Sequence, residues 1–211
     1  MRYEGDRKMI YSRYVKRILD FSLALIGLIV VAIPMGIVGI AIKLDSKGPV
    51  IFKQDRIGYQ GKVYKMYKFR SMCVGAESGG VYSDNTDARV TKVGKFIRAT
   101  SIDELPQLVN VLKGDMALIG FRSPLVYHPW KWSEYTEEQK KMFNVRPGIT
   151  GWAQVHGRKT VEWNKRIELN VWYAEHVSFL LDIKILFMTV FKVLTNADNE
   201  NIGETVKYKK N

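Results

Sequence analysis

Cysteine is almost absent from this 211-residue chain: Cys73 stands alone. No intramolecular disulfide can form, and no Cys/His cluster is available for a structural zinc. Histidine is nearly as scarce, and His128, His156 and His176 lie far apart without metal-ligand spacing. Internal repeats and low-complexity tracts are missing too. Acidic residues are outnumbered, with 33 Lys and Arg against 21 Asp and Glu, a formal net charge of +12. Such an excess points to an anionic partner: nucleic acid, an anionic membrane surface or a phosphorylated substrate. The length suits one compact domain with an appendage.

Charge is wholly absent from residues 21–42, FSLALIGLIVVAIPMGIVGIAI. A helix needs about 20 such residues to cross a bilayer. The run is too long for a secretory signal, and no small-residue cleavage site follows it. A buried core helix is the bland alternative, but the run is apolar all round. Pro34 sits mid-segment, with Gly36 and Gly39 behind it, which predicts a kink or break at residues 30–34. Arg7, Lys8, Arg13, Lys16 and Arg17 precede the run; Lys43, Lys47, Lys53 and Arg56 follow it. Basic flanks on both sides give a span no orientation. A re-entrant helix-break-helix that leaves by the face it entered satisfies both observations. A true span stays open as the other form.

The remainder reads as α+β and mostly helical. A β-hairpin is predicted over residues 49–72, with strands at 50–54 and 62–69 and a turn carrying Gly58 and Gly61. Residues 73–87 read as loop. Helix is expected near 91–99, again after the acidic pair Asp103-Glu104, as a short exposed piece at 135–144, and at 161–175. Residues 147–157 read as loop. Residues 178–195 are apolar but interrupted by Asp182, Lys184 and Lys192, which fits an interfacial amphipathic helix. The expected organisation is a membrane segment at 1–47, a catalytic domain at 48–195 and a polar tail at 196–211.

The chemistry concentrates in TSIDELPQLVNVLKGDM, residues 100–116. Ser101 to Glu104 matches a capping box, S-x-x-E, and acids favour a first helical turn. Pro106 disturbs that reading, because a helix starting after Ser101 would place proline where a donor is required. A later start puts Pro106 in the first turn, where it is tolerated. At least one of Asp103 and Glu104 then faces outward. Two carboxylates repel phosphate unless a cation bridges them, and Mg²⁺ takes one or two carboxylates together with substrate phosphates. Lys68, Arg70, Arg98 and Arg122 are the nearby candidates for binding phosphate. A carboxylate in such company can act as a nucleophile.

At these residues the sequence closely resembles the bacterial sugar transferases, the monotopic phosphoglycosyl transferases of small, single-domain type. Four blocks carry the likeness: PVIFKQDRIGYQGKVYKMYKFRSM, DARVTKVGKFIRATSIDELPQLVNVLKGDMALIGFRSP, VRPGITGWAQVHGR and WNKRIELNVWYAEHVSFLLDIKIL. The resemblance implies transfer of a sugar-1-phosphate from a UDP-sugar to polyprenol (undecaprenyl) phosphate, with release of UMP. It implies that Asp103 forms a covalent phosphosugar intermediate and that Glu104 helps hold Mg²⁺. Lys68, Arg98 and Arg122 would contact phosphates or order the site. Asp182 would be a further acid of the active-site region, and Pro34 would mark the break of the membrane helix. The implied location is the bacterial cytoplasmic membrane, with the catalytic domain on its cytosolic face and homodimerisation an open form.

Several positions depart from the family pattern. Ile33 replaces the usual serine before the breaking proline, and Phe121-Arg122-Ser123 replaces Pro-Arg-Pro. His156 stands for Asn, and Asn170 for Asp. Two other functions are compatible with parts of the sequence. A membrane-tethered nucleic-acid binder would use Trp152, Trp163 and Trp172 as stacking partners. However, these residues are scattered, and anionic lipid accounts for the basic charge without nucleic acid. A catalytically silent scaffold of an envelope glycan complex would not need an intact Asp103-Glu104 pair.

Overall fold

The computed structural model describes residues 10–80, 87–157 and 162–195. The expected polar tail at 196–211 lies outside them, as does part of the loop expected at 73–87. The charge-free run belongs to one long helix, α1 (Lys16–Asp45), entered through a π-helical turn at Tyr11–Val15. Its most apolar window has a mean hydropathy of 2.8, and only 6% of that window is buried. This overturns the core-helix alternative. The backbone stays helical through Pro34, so the break expected at residues 30–34 is not an interruption of secondary structure. Proline removes one donor and crowds one carbonyl, and the turns on either side still close their own bonds.

Both ends of α1 are fastened to the same domain. Near its start, the Lys16 ammonium donates to Asp182 at 2.8 Å, and Asp20 accepts from the Leu118 amide at 3.1 Å. Arg17 donates to the carbonyls of Val111 and Leu112. At its end, Arg70 donates to the carbonyls of Ile42, Ser46 and Lys47, and Asp45 accepts from the Val93 amide. Arg70 thus gathers the Ile42 carbonyl, which also accepts from the Ser46 amide, together with two carbonyls just past the helix end. Ala24 and Ile42 are buried against the domain, whereas Ile29, Val30 and Ile33 between them are 68–78% exposed.

The hairpin forms as expected. Strands β1 (Ile51–Ile57) and β2 (Val63–Phe69) pair antiparallel, with Ile51 opposite Phe69. Helix α2 (Lys92–Ala99) begins at Thr91, whose side chain accepts from the Gly94 amide. Helix α3 (Gln107–Lys113) ends at Gly114, whose φ of +89° is the left-handed turn that glycine adopts at least cost. A second, parallel pair joins β3 (Ala117–Ile119) to β4 (Gly148–Thr150).

Two stretches differ from the sequence reading. The piece at 135–144 is a short helix, α4 (Glu137–Lys140), and a 3₁₀ turn (Lys141–Asn144) that buries Met142 and Phe143 in the core. The helix itself has no buried residue, as expected, but the apolar pair Met142-Phe143 after it faces inward against Phe121, Tyr135 and Ile167. The loop expected at 147–157 holds β4 and helix α5 (Trp152–Val155). Its glycines allow the strand an approach so close that a Cβ on Gly148 would meet the Gly120 nitrogen at 2.1 Å. Helices α6 (Trp163–His176) and α7 (Phe179–Leu194) complete the chain. The α+β, mostly helical class expected from sequence holds.

Candidate active site

The acid pair sits on a corner rather than on a helix. After α2 the chain reverses at Ser101, whose φ of +59° is left-handed. A single 3₁₀ turn (Ile102–Glu104) follows, and α3 starts only after Pro106. Ser101 makes no side-chain cap, so the capping box does not form. A non-glycine residue held in this region costs about 1–3 kcal/mol, which buried neighbours must offset. Ile102 and Leu105 supply that packing, against a core of Ile42, Phe69 and Ile97. With those two turned inward, Asp103 and Glu104 stand at the partly open rim.

Strand β2 brings the first cation. Lys68 donates to Glu104 at 2.9 Å, and both side chains are less than a fifth exposed. The strand is pinned to α3 by Asn110, which is fully buried. Its side chain accepts from the Tyr67 amide at 2.9 Å and donates to the Lys65 carbonyl at 2.8 Å. Arg122, from the segment after β3, places Nη1 3.6 Å from the same Glu104 oxygen. Arg98, at the end of α2, is close enough to act on the charge of Asp103.

Burial is the main influence on Asp103 and raises its pKa above the ordinary 3.8. Lys68 pulls it back, Glu104 pushes it up again, and Arg98 and Arg122 pull it down. A fourth cation, Arg56, lies near enough to Arg122 and Glu104 to be affected by both. Burial, and then Arg122, lower its pKa to about 10. The corner therefore gathers Lys68, Arg98, Arg122 and Arg56 around two carboxylates. The surplus of positive charge suits a diphosphate.

Among the described residues no group of three or more His, Cys, Asp or Glu side chains could hold a metal. A cation at this corner would take Asp103 and Glu104 and complete its shell with substrate oxygens and water. Mg²⁺ accepts such a donor set, and cations needing an all-protein cage do not.

Other expected site residues lie elsewhere. Arg70 is 5% exposed and committed to the end of α1; its place in the sequence, two residues after Lys68, hid that its strand had ended. Asp182 is 4% exposed and accepts hydrogen bonds from Tyr11 at 2.7 Å, Lys16 at 2.8 Å and Tyr173 at 2.6 Å. Among the described residues, none of these partners bonds to the acid pair. Pro34 lies within α1. The His156 ring packs against Trp152 at a tilt of 46°, with ring centroids 3.8 Å apart. Asn170 is buried in α6. Sequence reasoning missed Asn110 and counted Arg56 only as a flank of the membrane segment. A lone amide within the apolar LVNVL was the available signal for the first.

The whole region matches known proteins. The model of the family described as bacterial sugar transferase matches residues 11–196. The chain is 45% identical over 192 residues to the sugar transferase EpsL of Bacillus subtilis (strain 168), covering 90% of this chain and 91% of that one. It is 44% identical over 192 residues to the UDP-glucose:undecaprenyl-phosphate glucose-1-phosphate transferase of Escherichia coli (strain K12), but spans only 41% of that protein. It is 40% identical over 190 residues to the UDP-N-acetylgalactosamine-undecaprenyl-phosphate N-acetylgalactosaminephosphotransferase of Aeromonas hydrophila, spanning 45% of it. With a family model matched over most of its length, and with Asp103 and Glu104 inside the match, the chain belongs to the bacterial sugar transferases.

Proposed function

We propose that the chain is a phosphoglycosyl transferase that moves a sugar-1-phosphate from a UDP-sugar to polyprenol phosphate through a covalent intermediate on Asp103. One observation carries the reading. A partly buried carboxylate, raised in pKa by burial, faces a cluster of cations richer in charge than the acids it accompanies. The curated relatives that act on UDP-sugars and undecaprenyl phosphate support the substrates.

In the first step an oxygen of ionised Asp103 attacks the phosphorus bonded to the sugar. The bond from that phosphorus to the bridging oxygen breaks, and UMP leaves with the electron pair. Lys68, Arg98 and Arg122 hold the diphosphate oxygens and stabilise charge spread over the transferring group. Partial desolvation makes the carboxylate a stronger nucleophile than one in water, while the cations keep it ionised. In the second step a phosphate oxygen of the polyprenol attacks the same phosphorus. The bond to Asp103 breaks, the carboxylate is restored, and a polyprenyl-diphospho-sugar departs. Mg²⁺, held by Glu104 and Asp103, would supply further neutralisation of the diphosphate.

The acceptor's phosphate lies at a membrane surface, so the site belongs there too. A helix that crossed the bilayer would carry one of its ends about 30 Å away from the domain. The bonds from Lys16 and Asp20 at one end and from Asp45 at the other to a single domain support a re-entrant α1. Phe179, Leu180, Phe187 and Phe191 leave α7 with an exposed apolar face, as an interfacial helix requires. The bilayer is then the cytoplasmic membrane, with the domain on the cytosolic side.

The test is UMP release from a panel of UDP-sugars with Mg²⁺ and undecaprenyl phosphate. Asp103→Asn is expected to abolish release while the fold persists. Turnover unchanged in that variant would overturn the nucleophile. Tags at both ends should report the cytosolic side; opposite sides would mean a span.

A further inference from the structure

Arg122 is the one half-exposed residue in a buried run. Phe121, Ser123, Pro124 and Leu125 around it are all buried. Each neighbour is fixed. Phe121 packs edge-on against Phe143, with ring centroids 5.0 Å apart, and its carbonyl accepts from the Gly148 amide at 2.9 Å. The Ile57 amide donates to the Pro124 carbonyl at 3.0 Å. Arg56 Nη1 donates to the Ser123 carbonyl at 2.8 Å. The Tyr64 hydroxyl and Ser123 Oγ share a hydrogen bond of 2.8 Å. Arg56 is itself braced, because the Gln54 side-chain oxygen accepts from its Nε and Nη2 at 3.1 and 2.6 Å.

We propose that Ser123, Tyr64 and Arg56 form a positioning unit that aims Arg122 at the acid pair. The proposal rests on the reading above, in which Arg122 binds phosphate. Arg122 reaches Glu104 at 3.6 Å, too long for a hydrogen bond, so that contact does not fix its place. The backbone on either side of Arg122 must do so instead. The hairpin supplies the fixing groups: Arg56 and Ile57 at the end of β1, Tyr64 at the start of β2. The same hairpin carries Lys68. Two cations that meet at Glu104 are therefore held by one rigid element, and their separation is set by the β1–β2 register. Ser123 occupies the place where the resembling pattern has a rigid proline. Here a side-chain hydroxyl does by hydrogen bonding what a ring would do by restricting φ.

The experiment measures UDP binding by calorimetry, with Mg²⁺, on the full chain in lipid nanodiscs. Ser123→Ala and Tyr64→Phe each remove the same hydrogen bond and little else. Each is expected to weaken UDP by about three- to ten-fold, with melting temperatures close to the parent. In an Arg122→Ala background neither should matter by more than about 1.5-fold, because a positioning residue acts only through the group it positions. Equal losses in both backgrounds would mean a merely structural bond and overturn the proposal. Unchanged binding by both single variants would overturn it as well. A parent chain that binds no UDP sinks the proposal together with the reading it rests on. UDP bound with the predicted pattern, but no UMP released from any UDP-sugar, sinks the transferase reading and leaves the unit standing.

Discussion

Two clusters in this molecule are built from the same parts: a pair of carboxylates, a lysine and an arginine. At the foot of α1, Asp20 and Asp182 face Lys16, with Arg17 near. At the corner before α3, Asp103 and Glu104 face Lys68, with Arg122 near. The first is closed: Lys16, Asp20 and Asp182 are all under a tenth exposed, and Asp182 accepts from two tyrosines and a lysine. Its charges balance. The second is half-open and carries additional cations, Arg98 and Arg56. A closed, balanced cluster holds elements together. An open cluster with unmatched positive charge can accept an anion.

Four substitutions would break or sharpen that contrast. The largest effect belongs to Asp103→Asn, expected to lower UMP release by roughly 10⁴-fold or more with little change in melting temperature. Asp182→Asn should do the reverse in kind. Breaking a buried pair by removing one partner costs about 3–5 kcal/mol, so chemical denaturation should show that loss, with whatever protein stays folded still releasing UMP. If Asp182→Asn stopped the chemistry at full stability, the two clusters would not differ as described. Glu104→Gln should raise the Mg²⁺ concentration needed for half-maximal activity by at least about ten-fold.

The smallest effect is on pH dependence. In the proposed reaction Asp103 attacks as the ionised form, and burial, chiefly, raises its pKa above 3.8. The acid limb of kcat/KM should therefore fall above the ordinary aspartate range. Lys68 is the strongest influence pulling that pKa down. Lys68→Met should raise the pKa further and move the limb to higher pH. A limb that stayed in place would show that Lys68 does not act on Asp103.

Much of this was legible without coordinates. The hairpin was found within a few residues because its alternation and its Gly-bearing turn are local. The capping box fails, as Pro106 predicts, but the helix starts at Gln107, with Pro106 as its cap rather than inside a first turn begun near Asp103. Arg70 misled for the opposite reason. Two residues from Lys68 along the chain, it lies past the strand end and turns to the carbonyls of α1. Asp182 looked like a site acid in sequence, and burial beside Lys16 gave it a fastening task.

By itself the sequence determined the charge-free helix, the paired acids and the basic surplus, because these depend on neighbours along the chain. Only the tertiary structure decided which cations meet which acids. Lys68 reaches Glu104 across 36 residues, and Lys16 reaches Asp182 across 166. No local pattern encodes such meetings. They follow from how the hairpin, α1 and α7 pack, and packing assigned the two pairs of carboxylates their different work.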